Sequence, residues 1–330
     1  MIRVAIIGLG NAVSPHARAL LDLGDRVQVA WAVARNAAHR EAAAREWGFP
    51  TRPDAAGAIA DPAVDAVLIL TPTNAHLDIA EAAFAAGKHV LCEKPVEADA
   101  ARADRLVAAG RAAGKRLGIM LQLRFRPASQ RLKALLDAGA LGEVQAAWML
   151  VPWWRAQSYY DEPGRGVKSR DGGGVLMIQA IHTLDLLRWL VGVSAVEAAR
   201  VRTTSLHRME TEDYAQALLR LGNGAPGSMV ATVAAYPGSP ESITILGSKG
   251  TARMEGGNLS IAYLDGRTET VADDGGSGSG SRVMAFSHGP HKAVIADFLD
   301  AIEHGRDPAI TGEDALETQR VIDAIVAKGS

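Results

Sequence analysis

The residues best suited to chemistry in this chain stand where one kind of sequence pattern gives way to another. Gly8-Leu9-Gly10-Asn11-Ala12-Val13 follows an apolar run and precedes a helical pattern. Gly8 permits a tight turn there, and Gly10 lets a pyrophosphate approach backbone N–H groups at the positive end of the following helix. Thr71-Pro72-Thr73-Asn74-Ala75-His76 closes a second apolar run with groups that can bond a ligand, and Asn74 is also a suitable N-cap for a helix starting near Ala75. Glu93-Lys94-Pro95 closes a third run, the proline fixing the turn that carries the lysine. Further on, His182 lies in a helical stretch that follows Gly172-Gly173-Gly174. An imidazole titrates near neutrality and can exchange a hydroxyl proton, although a histidine alone in an apolar helix more often packs than reacts. On an unbroken helix Ile178, Gln179, His182, Asp185 and Leu186 share one broad face, which places Gln179 or Asp185 to orient the imidazole.

These groups need elements to hold them. Short apolar runs at Ile2 to Ile7, Val27 to Ala34, Ala66 to Leu70, His89 to Cys92 and Leu117 to Leu121 predict five parallel strands covered on both faces. Between them, Ala-rich amphipathic stretches at 15–23, 37–47, 75–86 and 99–113 predict the crossover helices, several closed by a glycine such as Gly48 or Gly87. Ligands of such open α/β sheets bind at the carboxyl ends of the strands, where the glycine turn, Thr71 and Lys94 all fall. After Leu123 the rhythm changes. A helix at 127–138, a strand over 143–152 and a helix over 173–190 precede seven strand-like runs between 196 and 272, joined by short Gly, Asn, Asp and Pro turns. The expected architecture is an α/β Rossmann domain with a parallel sheet over 1–123, then an α+β domain with a large open, mainly antiparallel sheet over 124–330. The second serves substrate binding and oligomerisation, and its closing helices at 291–304 and 313–328 can pack back on the first. The Gly/Ser stretch Gly275 to Ser281 reads as a flexible loop.

The second strand ends Ala34-Arg35-Asn36, with no acidic residue for a ribose 2′-hydroxyl. Arg35 can meet a 2′-phosphate with its planar fork or stack on adenine, which inclines the expected cofactor, NAD(P)(H), toward NADP.

The glycine turn, Glu93-Lys94-Pro95 some eighty residues later, the Gly172-Gly173-Gly174 helix start and the spacing from His182 to Asp185 together resemble the glucose-fructose oxidoreductase, inositol dehydrogenase and MocA family over essentially the whole chain. The resemblance implies a Rossmann domain followed by an open antiparallel sheet, a nicotinamide cofactor, a sugar, cyclitol or related polyol as substrate, and homodimers or homotetramers pairing through the sheet. It implies that Lys94 sits by the nicotinamide and the reacting carbinol, that His182 is the acid/base, and that Pro95 is cis. Two positions depart from the family pattern. Val13 replaces the third glycine or alanine of the turn, and Ile178 stands where many relatives carry an aspartate four residues before the histidine.

From these readings Lys94 and His182 are the expected catalytic residues. Gly8, Gly10, Asn11, Ala12, Val13, Arg35, Thr71, Pro72, Thr73, His76, Glu93, Lys94 and Gln122 are the expected cofactor contacts. The loop Trp153-Trp154-Arg155-Ala156-Gln157-Ser158-Tyr159-Tyr160, followed by Arg165, Lys168 and Arg170, mixes aromatic faces for the C–H side of a sugar with hydrogen-bond donors. With the hinge-side Arg124, it makes Arg124, Trp154, Tyr160, Lys168, Gln179 and His182 the expected substrate contacts beside Lys94. A core or oligomer role for the tryptophans competes about evenly with that reading. His288 and His291 either lie near the same cleft or cap the helix that follows.

The bulk numbers exclude other classes. With 35 basic against 37 acidic residues in 330 and a net charge of −2, no nucleic-acid footprint appears. The expectation is a cytoplasmic protein with no signal peptide, no membrane-spanning stretch and no bound metal, since no His, Cys and carboxylate set shows ligand spacing. The single cysteine, Cys92, excludes an intrachain disulfide and reads as a small buried strand residue. Two further functions stay open beside a polyol dehydrogenase: a redox-neutral glycosidase that retains NAD, and, because of Ile178, a catalytically altered NAD(P)-binding sensor.

Overall fold

The structure is a computed structural model that describes residues 1–10, 12–272 and 287–329; Asn11 and the stretch predicted as a flexible loop lie outside the described residues. The chain divides into two compact units, Met1–Leu121 with His288–Leu316, and Gln122–Ser287 with Glu317–Ser330.

The first unit is built on a six-stranded parallel sheet in the order β3-β2-β1-β4-β5-β6. Its strands are β1 (Ile2–Ile7), β2 (Val27–Val33), β3 (Thr51–Arg52), β4 (Ala66–Ile69), β5 (His89–Glu93) and β6 (Leu117–Met120). All four residues of β4 and of β6 are buried, as expected of strands covered on both faces. The helices are α1 (Val13–Asp22), α2 (Ala37–Trp47), α3 (Ala55–Ala60), α4 (His76–Ala85) and α5 (Ala100–Ala112). Five strands were expected and the sheet has six, because β3 is two residues long and too short to show a period. A second correction concerns α4. Its N-cap position is Ala75, with no side-chain cap, and the Leu77 N–H donates instead to the buried Glu97 carboxylate at 2.8 Å. Glu97, twenty residues downstream, does from across the fold what Asn74 was expected to do locally.

The second unit carries α6 (Pro127–Asp137), two short helices α7 (Gln157–Tyr160) and α8 (Lys168–Asp171), and α9 (Ile181–Val191). Its eight-stranded sheet runs β14-β13-β12-β11-β7-β10-β9-β8. The strands are β7 (Val144–Pro152), β8 (Val193–Arg202), β9 (Tyr214–Leu221), β10 (Pro226–Thr232), β11 (Ser242–Gly247), β12 (Gly250–Glu255), β13 (Asn258–Tyr263) and β14 (Thr268–Val271). Pairing is antiparallel except between β7 and β10, which run parallel. Strict alternation in β7 and β9 buries Ala147, Met149 and Val151 with Ala215, Ala217 and Leu219, and turns Trp148, Leu150 and Leu218 outward.

The chain closes with α10 (Gly289–Glu303), which belongs to the first unit, and α11 (Gly312–Gly329), which begins in the first unit and ends in the second. Phe298 of α10 lies over Gly118 of β6, where a Cβ would stand 3.2 Å from its ring. The span Lys168–Val191 is long and apolar enough to cross a bilayer, yet 72% of its most apolar window is buried in the fold, as in the core helix of a globular unit.

Candidate active site

In the first unit, strand order does the assembling. β1, β4 and β5 are neighbours, so the residues after each of them, Gly8, Leu70-Thr71 and Lys94, share one edge of the sheet. Gly8 has φ +108°, and a Cβ there would meet the Leu70 carbonyl carbon and oxygen at 2.6 Å and the Thr71 nitrogen at 2.8 Å. Only glycine lets the β1 turn lie against the end of β4. Gly10 is different: it is exposed and, among the described residues, a Cβ would touch nothing within 4 Å. Space is left beside the start of α1, whose N-cap Ala12 offers no side-chain cap. Val13 is buried and its N–H is bonded to the Gly10 carbonyl at 3.1 Å. The hydroxyl oxygen of Thr71 is buried without a hydrogen-bond partner among the described residues. An open glycine, a helix start without a side-chain cap and an unmet hydroxyl at one sheet edge fit a dinucleotide pyrophosphate.

Other predicted contacts take varied places. Arg35 is exposed at the end of β2, where Arg40 donates to the carbonyls of Ala34 and Arg35 at 2.7 and 2.8 Å. Pro72 is exposed and Thr73 buried. His76 is corrected. It is 1% exposed, and its ring nitrogens lie against the carbonyls of Pro95 and Thr71, each at 3.1 Å, so it ties two loops together from inside the fold.

Lys94 is half-buried and precedes a cis peptide bond to Pro95. The Glu93 side chain turns back beneath it. One carboxylate oxygen accepts from the Lys94 backbone N–H at 3.1 Å, and the other accepts from the His16 ring at 2.7 Å. Burial by itself would push the Glu93 carboxyl up. The His16 hydrogen bond and the charges of His16, Lys94 and His291 outweigh burial and hold it down to about 2. His291 packs edge-on against His16, ring centres 5.2 Å apart, and the donor atoms of His16, Glu93 and His291 lie within 4.8 Å of one another. No local spacing could announce a cluster drawn from positions 16, 93 and 291. His288 stands at the N-cap position of α10 and meets Asp22 at 3.0 Å.

In the second unit, a π-helical turn at Leu176–Ala180 precedes α9 and changes the predicted face. The wider turn leaves Ile178 and His182 partly exposed while Gln179 and Asp185 are buried. Asp185 is not available to orient His182. It takes a two-pronged bond from Arg124, at 2.7 and 2.5 Å, and a third from the Thr318 hydroxyl at 2.8 Å. The substrate role expected of Arg124 is corrected with it, since the residue is 2% exposed and its guanidinium is closed on Asp185. Gln179 is 4% exposed, with its carbonyl oxygen unmet among the described residues. Gln122 likewise holds a buried carbonyl oxygen without a partner among them. Sequence reasoning missed Glu212. Its carboxylate accepts from the N–H groups of Gly174 and Leu176 at 3.0 and 3.1 Å, capping the π-helical turn, and burial pushes the group up.

The aromatic loop is mostly a packed cluster. Tyr160 is 8% exposed, with ring centres 5.0 Å from both Tyr159 and His207, and burial pushes its hydroxyl up; it is a core residue of the loop, which corrects its expected substrate contact. His207 is held by Asp213 at 2.7 Å and the Arg155 carbonyl at 2.8 Å. Trp154 is half-buried and stands edge-on to Tyr236, while Lys168 is exposed.

Residues 2–121 match the model of an oxidoreductase family with an NAD-binding Rossmann fold, and 129–253 match the GFO/IDH/MocA C-terminal domain. The chain is 28% identical to the inositol 2-dehydrogenase of Rhizobium meliloti, over 98% of this chain and 96% of the relative. It is 27% identical to the myo-inositol 2-dehydrogenase of Thermotoga maritima, over 95% and 92%. Among solved structures, the WlbA dehydrogenase from Bordetella pertussis, in complex with NADH and UDP-GlcNAcA, superposes with a TM-score of 0.85 at 29% identity, over 99% of this chain and 96% of the other.

Proposed function

Because the chain belongs to the GFO/IDH/MocA oxidoreductase family, we propose that it is a cytoplasmic dehydrogenase that oxidises a secondary alcohol of a cyclitol, sugar or sugar derivative, or reduces the corresponding ketone. The observation that carries this reading is the shared sheet edge on which Gly8, Thr71 and the half-buried Lys94 stand, beside room for a pyrophosphate at Gly10. A bound nicotinamide dinucleotide supplies the hydride acceptor or donor. Lys94 polarises the reacting oxygen, and its positive charge favours the alkoxide character that develops there. His182 takes the hydroxyl proton during oxidation and returns it during reduction. With isoleucine at 178 there is no carboxylate one turn before the imidazole, so His182 works without that charge. Inositol, in the names of two relatives, and the UDP-GlcNAcA held by the solved WlbA dehydrogenase set the class to be tried first.

Arg35, exposed at the end of β2 with no acidic residue beside it, supports NADP over NAD. The outward Trp148, Leu150 and Leu218 support a homo-oligomer joined through the eight-stranded sheet. Ile178 favours one second reading, a cofactor-binding protein that does not turn over.

The test follows the nicotinamide absorbance with NAD or NADP against myo-inositol, UDP-GlcNAcA, free sugars and sugar acids, on protein whose mass in solution is measured in the same preparation. Turnover with at least one panel member is expected. Lys94→Ala and His182→Ala are each expected to lower it by about 100-fold or more. Tighter NADH than NADPH binding overturns the Arg35 reading, and a monomer overturns the sheet contact. Cofactor binding with silence across the panel moves the assignment to the sensor.

A further inference from the structure

We propose that His16 and Glu93 form a positioning couple that sets the backbone and surroundings of Lys94 and ties them to the helix that follows the glycine turn. The inference rests on the reading of Lys94 as a proton-handling residue and extends it to two groups outside the reacting set.

Lys94 is the first residue past β5, and a strand end leaves a backbone N–H free of the ladder. Here that N–H is bonded by the carboxylate of the preceding residue at 3.1 Å. A glutamate that folds back on its own strand end needs an anchor, since its side chain otherwise has several rotamers and solvent to choose from. His16 is that anchor. It lies in the first turn of α1, its side chain is 1% exposed, and its ring N–H donates to the second carboxylate oxygen at 2.7 Å. The ring is itself held, because His291 packs edge-on against it at 5.2 Å. With both carboxylate oxygens engaged and the Glu93 side chain 13% exposed, the couple spans from α1 to the Lys94 amide with little freedom. On the far side of the turn, His76 holds the Pro95 carbonyl at 3.1 Å, so the lysine is carried on backbone fixed from two helices.

A charge-assisted hydrogen bond between a ring N–H and a carboxylate contributes more than a neutral one. Its loss frees Glu93 to leave the Lys94 amide, and the ammonium above then meets a different field. The reactivity of the Lys94 amine reports this directly and needs no substrate.

The experiment is competitive labelling of the full chain with 1-fluoro-2,4-dinitrobenzene, read by mass spectrometry as the rate at Lys94 relative to the exposed Lys249. Wild type, His16→Ala and His16→Gln are compared, the glutamine keeping an N–H donor at similar reach. The expected result is at least a threefold change in the Lys94 ratio in His16→Ala, with His16→Gln within about 1.5-fold of wild type. The proposal falls if His16→Ala labels as wild type does, or if alanine and glutamine alter the ratio alike, which would assign the effect to ring packing on His291. Turnover of Lys94→Ala decides the underlying reading separately. An active Lys94→Ala removes the role of the lysine whatever the labelling shows, and an inactive one beside unchanged labelling in His16→Ala removes only the couple.

Discussion

Two buried ion pairs stand close in sequence to the two residues assigned to proton handling, and they are built to different ends. In the second unit Asp185, one helical turn after His182, is closed on every side by Arg124, Thr318 and, at 3.8 Å, Arg188. In the first unit the Glu93–His16 pair gives only one carboxylate oxygen to its partner and spends the other on the amide of Lys94. The Asp185 cluster is saturated framework, so its chemistry ends where it is. The Glu93 pair passes a constraint on to the neighbouring residue. A buried charge marks function only when part of its bonding capacity is directed at a reacting group, and the same residue types in a closed set mark stability.

The comparison breaks most readily at Asp185. Asp185→Ala leaves the Arg124 guanidinium buried without its carboxylate and is expected to cost about 3–5 kcal/mol of stability in a denaturant titration. A loss below about 1 kcal/mol would show that the second unit is not framed by this pair. Next in size is an acid effect at Glu93. Its carboxyl is held down to about 2, below its ordinary 4.5, so the folded state prefers the carboxylate. The stability it contributes is present above pH 4.5 and is lost as pH falls through about 2, a change of roughly 3 kcal/mol at most. Glu93→Gln is expected to flatten the acid limb of stability between those values; an unchanged limb would place the pH dependence elsewhere. The smallest effect sharpens the comparison within the glycine turn. Gly8→Ala drives a Cβ into the Leu70 carbonyl and is expected to cost about 1–3 kcal/mol in thermal unfolding. Gly10→Ala meets nothing within 4 Å among the described residues, so it should leave unfolding unchanged and weaken dinucleotide binding several-fold in a fluorescence titration.

Much of the frame was legible because it depends on local pattern. Buried parallel strands need continuous apolar runs, half-buried antiparallel strands need alternation, and both kinds were read to within a few residues from β1 to β14. β3 escaped because two residues carry no period. The π-helical turn escaped because one extra residue per turn leaves no mark on composition, yet it decides that Ile178 and His182 are the partly exposed pair while Gln179 goes inside.

The site separates along the same line. That the glycine turn, Thr71 and Lys94 share one sheet edge was legible from sequence because each ends a strand, and the carboxyl ends of parallel strands in one sheet lie on one edge by geometry. Arg124, Tyr160 and His76 were misread because residue type alone cannot distinguish a polar group facing ligand from one that satisfies a buried neighbour; that depends on which distant residue arrives beside it. Asp185 meets Thr318 across 133 residues, and His16 meets Glu93 across 77. The sequence by itself therefore determined the order of elements and the strand ends on which the candidate residues stand, since those follow from periodicity and turn-forming residues. Only the tertiary structure decided which polar side chains are consumed in holding the fold and which remain to act, since a hydrogen bond between remote residues exists only once the chain has closed around it.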